Sequence, residues 1–487
     1  MCWPGAGSCA PATSRWRSSW SRRAMAGSRI WPGRRPEIMA VLDATPDKLD
    51  LLIAAQGAKT GPDWLEALRA AGRDGFRALG LPTPRQEDWR NLRLNALYGQ
   101  SFAAADAAAP RLTWAHLQPI VPKGLDCDRI AMVNGVFSDE LSAVGELADG
   151  VVVAGLSQAL ATAPDRVHAV LGQVARGDRD GFAALNQAAL ADGAAVLVPR
   201  GVELARPVHL LHHALAPRMP VVAQPRIVID LAENARATVI EHWRGLAGET
   251  AFVNATVEIR LGRGAKLTLI RLQTSGEKGF HIDRLASSIA GDAELDMIQI
   301  DMGGRLSRHT LDVALEGRGA AAVLDGLFAI GAEQQTDTRS NVEHRARDCR
   351  LSQTWKGVAG GRARGIFNGR VHVLPGAIGT DAEMSSRNLL ASREAEILPK
   401  PELEIHADEV KCAHGATVGA ISEQELFYLR SRGLDAAEGR RILTRAFAEE
   451  IVDRLPFETF REQVSGWVDR HMAQTVLNET VAKEATA

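Results

Sequence analysis

The chain has 487 residues, of which 46% are hydrophobic and 24% are charged, and its formal net charge at pH 7 is −2. This length and apolar content allow two or three folding units with sizeable cores and exclude a disordered chain. The near-neutral charge predicts no nucleic acid or membrane surface as partner, and no apolar run reaches the roughly 18 residues that a membrane span needs.

The first 38 residues differ in composition from the rest. They hold four of the ten tryptophans, seven arginines and a single acid, Glu37. Four prolines interrupt the segment, which argues against the amphipathic helix of a transit peptide. We therefore expect residues 1–38 to be a non-native extension caused by a misassigned start, with Met39 as the true start.

Cysteine usage indicates a reducing compartment. The five cysteines form no C-x-x-C pair, so neither a disulfide framework nor a zinc knuckle is predicted. The segment at the start has no secretory apolar core. We expect a cytoplasmic protein.

Residues 39–193 are predicted to form a mainly helical N-terminal region. Leu49–Ile53 and the stretch from Trp64 to Leu68 follow helical spacing, and Gly80–Pro84 interrupts it. A strand and turn are expected around Asn134, and a further alanine-rich helix is expected before residue 191.

Residues 194–420 are predicted to form a parallel β-helix core. Short β runs are separated by Gly, Asn and Asp, and small residues recur at the corners that precede the runs. Steps of 27–30 residues separate Ala235, Ala265, Ala293 and Ala320. Each coil of such a stack buries its apolar face only against its neighbours, which explains a repeat of this length. Extending the step predicts further corner positions at Ala205, Cys349, Ala377 and Ala407.

A β-sandwich is the alternative for this region, but its hairpins would give turn signals every 8–12 residues or so without a longer repeat. The runs that we expect to be strands are Ala195–Pro199, Arg226–Leu231, Thr238–Trp243, Thr256–Leu261, Lys266–Leu272, Glu294–Asp301 and Leu311–Leu315.

Residues 421–487 are predicted to form a C-terminal helical domain. Ser422 begins a capping box with Glu425, Gly433 separates two helices, and Pro456 ends the second. The tail after Lys483 is expected to be frayed.

The strongest candidate for chemistry is the pair Cys412 and His414. Residues two apart in a strand project from one face, so the thiol and the imidazole could bind one metal ion or cluster. Lys411 is expected to favour the thiolate form of Cys412. An iron–sulfur cluster usually takes four protein ligands, so one cysteine and one histidine must share a cluster with another subunit. An ordinary strand end remains the alternative.

Other candidates are interpreted as structural. His372 and His406 are lone histidines in β regions, and Cys349 falls on a small-residue corner of the core. Asp381, Glu383, Glu402 and Glu404 could be the carboxylates of a carbohydrate-active β-helix enzyme, and Glu402 and Glu404 share a strand face. Aromatic residues make up only 5% of the chain, which leaves little surface for stacking on sugars. No phosphate-binding loop, G-x-S-x-G elbow or H-E-x-x-H motif occurs.

The sequence resembles the SufB/SufD family of the SUF iron–sulfur cluster assembly system. The resemblance rests on KPELEIHADEVKCAHGATVG (from Lys400), on LFYLRSRG (from Leu426) and, more weakly, on GLPTPRQEDWRNLRLNALYG (from Gly80) and IAMVNGVFSDELS (from Ile130). The Phe427–Arg432 helix has the form of the SufD branch.

This resemblance implies a mainly β fold, in which a right-handed parallel β-helix is flanked by α-helical N-terminal and C-terminal domains. It implies a non-catalytic scaffold of a SufBCD complex that pairs with SufB through the β-helix and docks the SufC ATPase through its C-terminal helices. No cofactor would be held stably by the chain alone. Cys412 and His414 would meet a transient cluster at the SufB interface.

Partner contacts are expected in the C-terminal domain. Arg432 lies in a matching motif, and Ile442, Phe447 and Ile451 of the helix over Arg441–Leu455 would contact SufC, with packing inside their own domain as the alternative. A secreted-type carbohydrate-active enzyme and a homodimer that stores or buffers SufB remain rival hypotheses.

Overall fold

A computed structural model describes residues 61–103, 112–175, 177, 180–216 and 218–477, all within one compact unit. The predicted extension over residues 1–38, the start at Met39, the helix near Leu49–Ile53 and the tail after Lys483 lie outside these residues and stay predictions. Within the described ranges, no helix is long and apolar enough to cross a membrane.

The fold is a parallel β-helix of about eight turns, which confirms the predicted fold class. Its strands are β1 (Asp128–Val133), β2 (Val136–Ala143), β3 (Val152–Gly155), β4 (Gly193–Val198), β5 (Val208–Ala214), β6 (Val221–Ala223), β7 (Arg226–Leu231), β8 (Arg236–Gly245), β9 (Ala251–Leu261), β10 (Lys266–Thr274), β11 (Phe280–Ile289), β12 (Glu294–Asp301), β13 (Leu306–Leu315), β14 (Ala321–Ile330), β15 (Gln335–His344), β16 (Arg350–Ala359), β17 (Arg364–Val373), β18 (Asp381–Leu390), β19 (Glu396–Ile405) and β20 (Lys411–Ala420).

These strands form two sheets that face each other across the interior. The first sheet has the order β2-β1-β5-β8-β10-β12-β14-β16-β18-β20. The second has the order β19-β17-β15-β13-β11-β9-β7-β4-β3, with β6 beside β9. All pairings of the described strands are parallel except β1–β2 and β3–β4, which finish one end of the stack with antiparallel strands.

The structure confirms the predicted small residue at the corner of successive coils, although some of the corner positions extrapolated from the repeat are wrong. Ala235, Ala265, Ala293, Ala320 and Cys349 are all fully buried, and each directly precedes a strand of the first sheet. The amide after each corner residue donates to the carbonyl of the corner residue one coil earlier, at 2.8–3.0 Å.

Following that ladder gives Val202, Thr380 and Val410 as the remaining corner positions, in place of Ala205, Ala377 and Ala407. Ala205 is exposed. The backbone before each corner has positive φ, which Gly, Asn and Asp tolerate best, as at Asn234 with φ +58° and Gly264 with φ +66°.

The helices lie at the two ends of the chain. They are α1 (Asp63–Leu79), α2 (Asn95–Tyr98), α3 (Trp114–Leu117), α4 (Leu156–Thr162), α5 (Pro164–His168), α6 (Gly181–Ala188), α7 (Glu423–Ser431), α8 (Ala436–Val452) and α9 (Glu458–His471), with a 3₁₀ turn at Glu87–Trp89 and a π turn at Met472–Val476.

Each terminal region covers the outer face of one sheet. In the N-terminal region, the centre of the buried Trp89 ring lies 3.6 Å from the Arg308 guanidinium, and the ring packs with Phe182 against the second sheet. Helices α8 and α9 pack against the first sheet through an apolar cluster that includes Ile451, Val464 and Ile298.

Several local predictions in the C-terminal region are confirmed. The Ser422 hydroxyl accepts from the Glu425 amide at 3.3 Å and caps α7. Gly433, with φ +93°, lies between α7 and α8, and α8 ends four residues before Pro456.

Candidate functional site

The end of the stack formed by β19 and β20 lacks the finishing strands found at the other end. Among the described strands, β20 pairs only with β18, and β19 pairs only with β17. Every residue of β20 is exposed except Cys412, which is partly buried. The two terminal strands therefore present free edges and an uncovered coil.

The predicted pair lies on this terminal strand. Cys412 is directly opposite Ala382, and His414 is directly opposite Met384, in the parallel register of β18 and β20. Ala382 and Met384 are buried and face the interior, so Cys412 and His414 project from that same side of the sheet. His414 is exposed because no further coil covers it.

The thiol of Cys412 is not activated in the isolated chain. Burial raises its pKa, and the Asp381 carboxylate raises it further. The expectation that Lys411 favours the thiolate is therefore wrong for this conformation, because partial burial and the Asp381 carboxylate both favour the protonated thiol. A ligating role for Cys412 requires a metal ion or a partner's charge to displace the proton.

A polar cleft of about 1030 Å³ reaches the terminal coil. The cleft is lined by the Glu87–Asn91 segment and by outward-facing side chains of the second sheet, including Arg308, Arg370 and Glu404. His414 also lines the cleft. Both signs of charge line this cleft, so it does not select anions or cations by net charge alone.

The remaining sequence candidates are found in three settings. Cys349 is fully buried in the core, as interpreted from the repeat. Asp381 and Glu383 are exposed on β18. Glu402 and Glu404 share the outer face of β19, where they form ion pairs with Lys400 and Arg370, so they do not form an isolated pair of carboxylates.

The structure corrects the predicted partner contacts on α8. Ile451 is 1% exposed and packs into the apolar cluster on the first sheet, so for this residue the alternative of packing inside the protein holds and the expected SufC contact does not. Phe447 is partly buried, with its ring 4.2 Å from the Lys356 ammonium. Ile442 is exposed. The side of this helix that carries Ile451 is the side that packs against the sheet, which helical spacing alone could not decide.

Sequence reasoning missed the most exposed apolar side chains of the C-terminal domain. Phe427 is 71% exposed and Tyr428 is 58% exposed, both on α7. The Arg432 guanidinium lies 5.3 Å from the Tyr428 ring centre and extends this surface. Their signal was present as an aromatic pair directly after Leu426, the buried residue of α7.

Comparison with protein families covers most of the chain. A family described as "SUF system FeS cluster assembly, SufBD core domain" matches residues 214–447, and one described as "SufBD protein N-terminal region" matches residues 55–210. The chain belongs to the SufBD family. Strands β6–β20, with the terminal Cys412–His414 pair, lie within the matched core domain.

Among SufBD family relatives, the iron–sulfur cluster assembly protein SufD of Escherichia coli is 31% identical over 416 residues, which cover 85% of this chain and 93% of that protein. An iron–sulfur cluster assembly SufBD family protein of Synechocystis is 31% identical over 81% of this chain and 88% of its own length. A chloroplastic protein of Arabidopsis thaliana, ABCI7, is 27% identical over 69% of this chain and 72% of its own length. The chain is thus a SufD homologue.

Proposed function

We propose that the chain is a scaffold subunit of a SufBCD-type complex that pairs with SufB through the free edge of β20 and receives a nascent iron–sulfur cluster as its substrate. The observation that carries this proposal is that the terminal, uncovered strand holds both Cys412 and His414 on one side. An unpaired strand edge offers backbone hydrogen bonds to a second chain, as in strand addition.

The ligand count supports sharing of the cluster. The cysteines of the described residues are Cys127, Cys349 and Cys412, and only Cys412 lies on the terminal coil. Cys349 is sealed in the core. Because clusters usually take four protein ligands, a cluster at this strand needs further ligands from SufB.

The SufC contact is better assigned to α7 than to α8. The surface formed by Phe427, Tyr428 and Arg432 combines two exposed aromatic rings with a guanidinium, which are the residue types enriched in interface hot spots. The sequence has no phosphate-binding loop, so ATP chemistry would be supplied by SufC.

Replacing Val418 with proline tests pairing through β20. The Lys411 amide donates to the Thr380 carbonyl at 2.8 Å, and successive residues direct their amides to opposite edges, so the Val418 amide faces the free edge. Val418→Pro should reduce recovery of this chain with SufB by about tenfold or more in co-expression and pull-down with SufB and SufC, because an edge donor is removed and the ring obstructs approach.

Val418→Thr is the matched control, since it keeps the amide and the branched shape, and it should co-purify like the unchanged chain. Circular dichroism of Val418→Pro alone should be unaltered, because its internal ladder to β18 is kept. Co-purification of Val418→Pro with SufB at full yield would contradict pairing through this edge.

His414→Ala separates cluster assembly from complex formation. An exposed imidazole contributes little to folding, so the complex should form in normal yield while iron and acid-labile sulfide per complex fall by about tenfold. His168→Ala, which removes an exposed histidine in the N-terminal region, is the control. Unchanged cluster content in His414→Ala would remove this side chain from the mechanism.

Membership of the SufBD family favours this function over a carbohydrate-active enzyme. A homodimer that buffers SufB uses the same edge. Size-exclusion chromatography with and without SufB distinguishes the two cases, because a subunit that pairs with SufB exchanges its own copy for SufB, whereas a homodimer that buffers SufB keeps both copies of this chain in the complex.

A further inference from the structure

Two histidines that the sequence analysis interpreted as structural meet on the outer face of the second sheet. His372 on β17 lies directly opposite Glu404 on β19, and His406 follows Glu404 by two residues. Val371 and Val373 face the core, so His372 points outward, and the register places Glu404 on the same face. Neighbouring strands about 4.8 Å apart and alternate residues about 6.7 Å apart bring the three side chains within reach of one another.

The ligand atoms converge on a single point. Glu404 Oε1 lies 3.0 Å from His406 Nε2 and 3.5 Å from His372 Nε2, and all three ligand atoms lie within 4.8 Å of one another. A tetrahedral zinc ion with bonds of about 2.0–2.1 Å requires ligand atoms about 3.3 Å apart. The side chains thus reach the required separations with small rotations.

The surroundings leave these atoms available for an ion. Arg370 pairs with the other carboxylate oxygen, Glu404 Oε2, and so orients Oε1 toward the two imidazoles. The side chains of His372, Glu404 and His406 are 19%, 42% and 49% exposed, which gives an ion access from solvent and leaves room for a water ligand.

A second group with metal-ligand chemistry, formed by His281, Asp283 and His309, is a weaker candidate. Asp283 Oδ2 accepts hydrogen bonds from both histidines, but it also accepts one from Arg271 Nη2 at 2.9 Å. All four side chains are almost completely buried. A guanidinium therefore already neutralises this carboxylate, and no path from solvent is open to an ion.

We propose that His372, Glu404 and His406 form a binding site for a divalent first-row transition-metal ion with at least one open coordination position. Two imidazoles and one carboxylate are the ligand set of open zinc sites and of non-haem Fe²⁺ sites, whereas Mg²⁺ and Ca²⁺ prefer oxygen ligands alone. The ligands lie on β17 and on the segment that ends β19, so the site uses neither Cys412 nor His414 of β20 and needs no partner subunit.

Metal titration of the untagged, full-length chain tests this site. After chelator treatment and dialysis, added Co²⁺ should bind saturably and produce the visible absorption of a protein-bound ion. The double variant His372→Ala/His406→Ala should weaken that binding by more than about tenfold, because two of the three ligands are removed. Its circular dichroism should match that of the unchanged chain, since both side chains are on the surface.

Two control variants locate the signal. His168→Ala and Cys412→Ser/His414→Ala should both keep the Co²⁺ absorption and affinity. The proposal is overturned if the His372→Ala/His406→Ala variant binds Co²⁺ as tightly as the unchanged chain, or if binding is lost in Cys412→Ser/His414→Ala instead.

Competition identifies the class of ion. Zn²⁺ should displace Co²⁺ stoichiometrically, and Fe²⁺ under anaerobic conditions should displace it only in excess, because Fe²⁺ binds such ligands more weakly than Co²⁺; Mg²⁺ and Ca²⁺ in large excess should not displace it. Displacement by Mg²⁺ or Ca²⁺ at concentrations similar to those of Zn²⁺ would indicate an oxygen site and would contradict the assignment.

Discussion

Replacing Glu258 with alanine is expected to lower the free energy of unfolding by about 3–5 kcal/mol. The Glu258 carboxylate is fully buried and accepts from Arg226 at 2.6 and 2.9 Å. It also accepts from the amides of Gly172, Val174 and Ala175 at 2.8–3.1 Å. Its loss leaves a buried guanidinium and three amides without their acceptor, and it releases the 172–175 loop from the second sheet.

Urea unfolding monitored by circular dichroism measures this effect. Glu233→Ala is the control, since Glu233 forms a solvent-exposed pair with Arg200 at 3.4 Å, and exposed pairs are worth about 0–1 kcal/mol. A loss below about 1 kcal/mol for Glu258→Ala would show that the loop and the guanidinium find other partners.

Acid is expected to unfold the chain steeply between about pH 6.5 and pH 4. Burial lowers the pKa of His209 and His212 to about 3 and the pKa of His213 and His344 to about 4. None of their ring nitrogens has a hydrogen-bond partner among the described residues. The unfolded chain binds protons at these sites below about pH 6.5 and the folded chain does not, so each histidine removes up to about 1.4 kcal/mol of stability per pH unit as the pH falls.

The His344→Leu variant tests the cause of this acid sensitivity. It should leave the urea midpoint at pH 7 nearly unchanged and should flatten the dependence on pH between 6 and 4, whereas His168→Ala should not alter that dependence. A urea midpoint that stays constant from pH 7 to pH 4.5 in the unchanged chain would contradict the prediction.

At alkaline pH, protonation of a buried histidine has the opposite effect on stability, which falls as the pH rises. Burial opposes protonation of His309, but the Asp283 and Asp301 carboxylates outweigh it and raise its pKa to about 9. The contribution of this group is complete below about pH 6.5 and is lost as the pH rises through 9, so stability should be greatest near neutrality.

The repeat could be predicted from sequence because small residues recur at consecutive corners. The prediction for Cys349 is confirmed, since the five consecutive fully buried corners from Ala235 to Cys349 hold only Ala or Cys. The extension to Ala377 was wrong because the coil after Cys349 is longer, and Thr380 occupies the corner instead. Coil length depends on the turn geometry, which a fixed step does not contain.

Some strands could not be recognised from hydrophobicity. The β15 segment, Gln335–His344, is rich in polar residues because its side chains are satisfied by other polar groups rather than by apolar packing. Arg339 pairs with Asp88 of the N-terminal region at 2.7 Å, and Ser340 donates to Gln353 at 2.8 Å. These partners lie in other elements of the fold, so the local pattern of β15 gives no sign of burial.

For the candidate sites too, features that depend on local sequence could be predicted and features that depend on contacts between coils could not. The shared side of Cys412 and His414 follows from strand alternation, which the sequence contains. The meeting of His372 with Glu404 depends on the register between neighbouring coils, and that register is fixed by every turn between them. Because this register depends on the length of each coil, the group formed by His372, Glu404 and His406 could not be recognised from the sequence.

The bare end of the stack also determines where the molecule opens first. Because coils contact only their immediate neighbours, the outermost coil can fray without melting the interior, as the last turn of a helix does. The strand that carries Cys412 and His414 is then the least protected part of the β-helix. Any protein that adds a coil there would suppress this fraying. Binding of a partner at that end would therefore increase the order of Cys412 and His414, the two residues that we propose to receive the cluster.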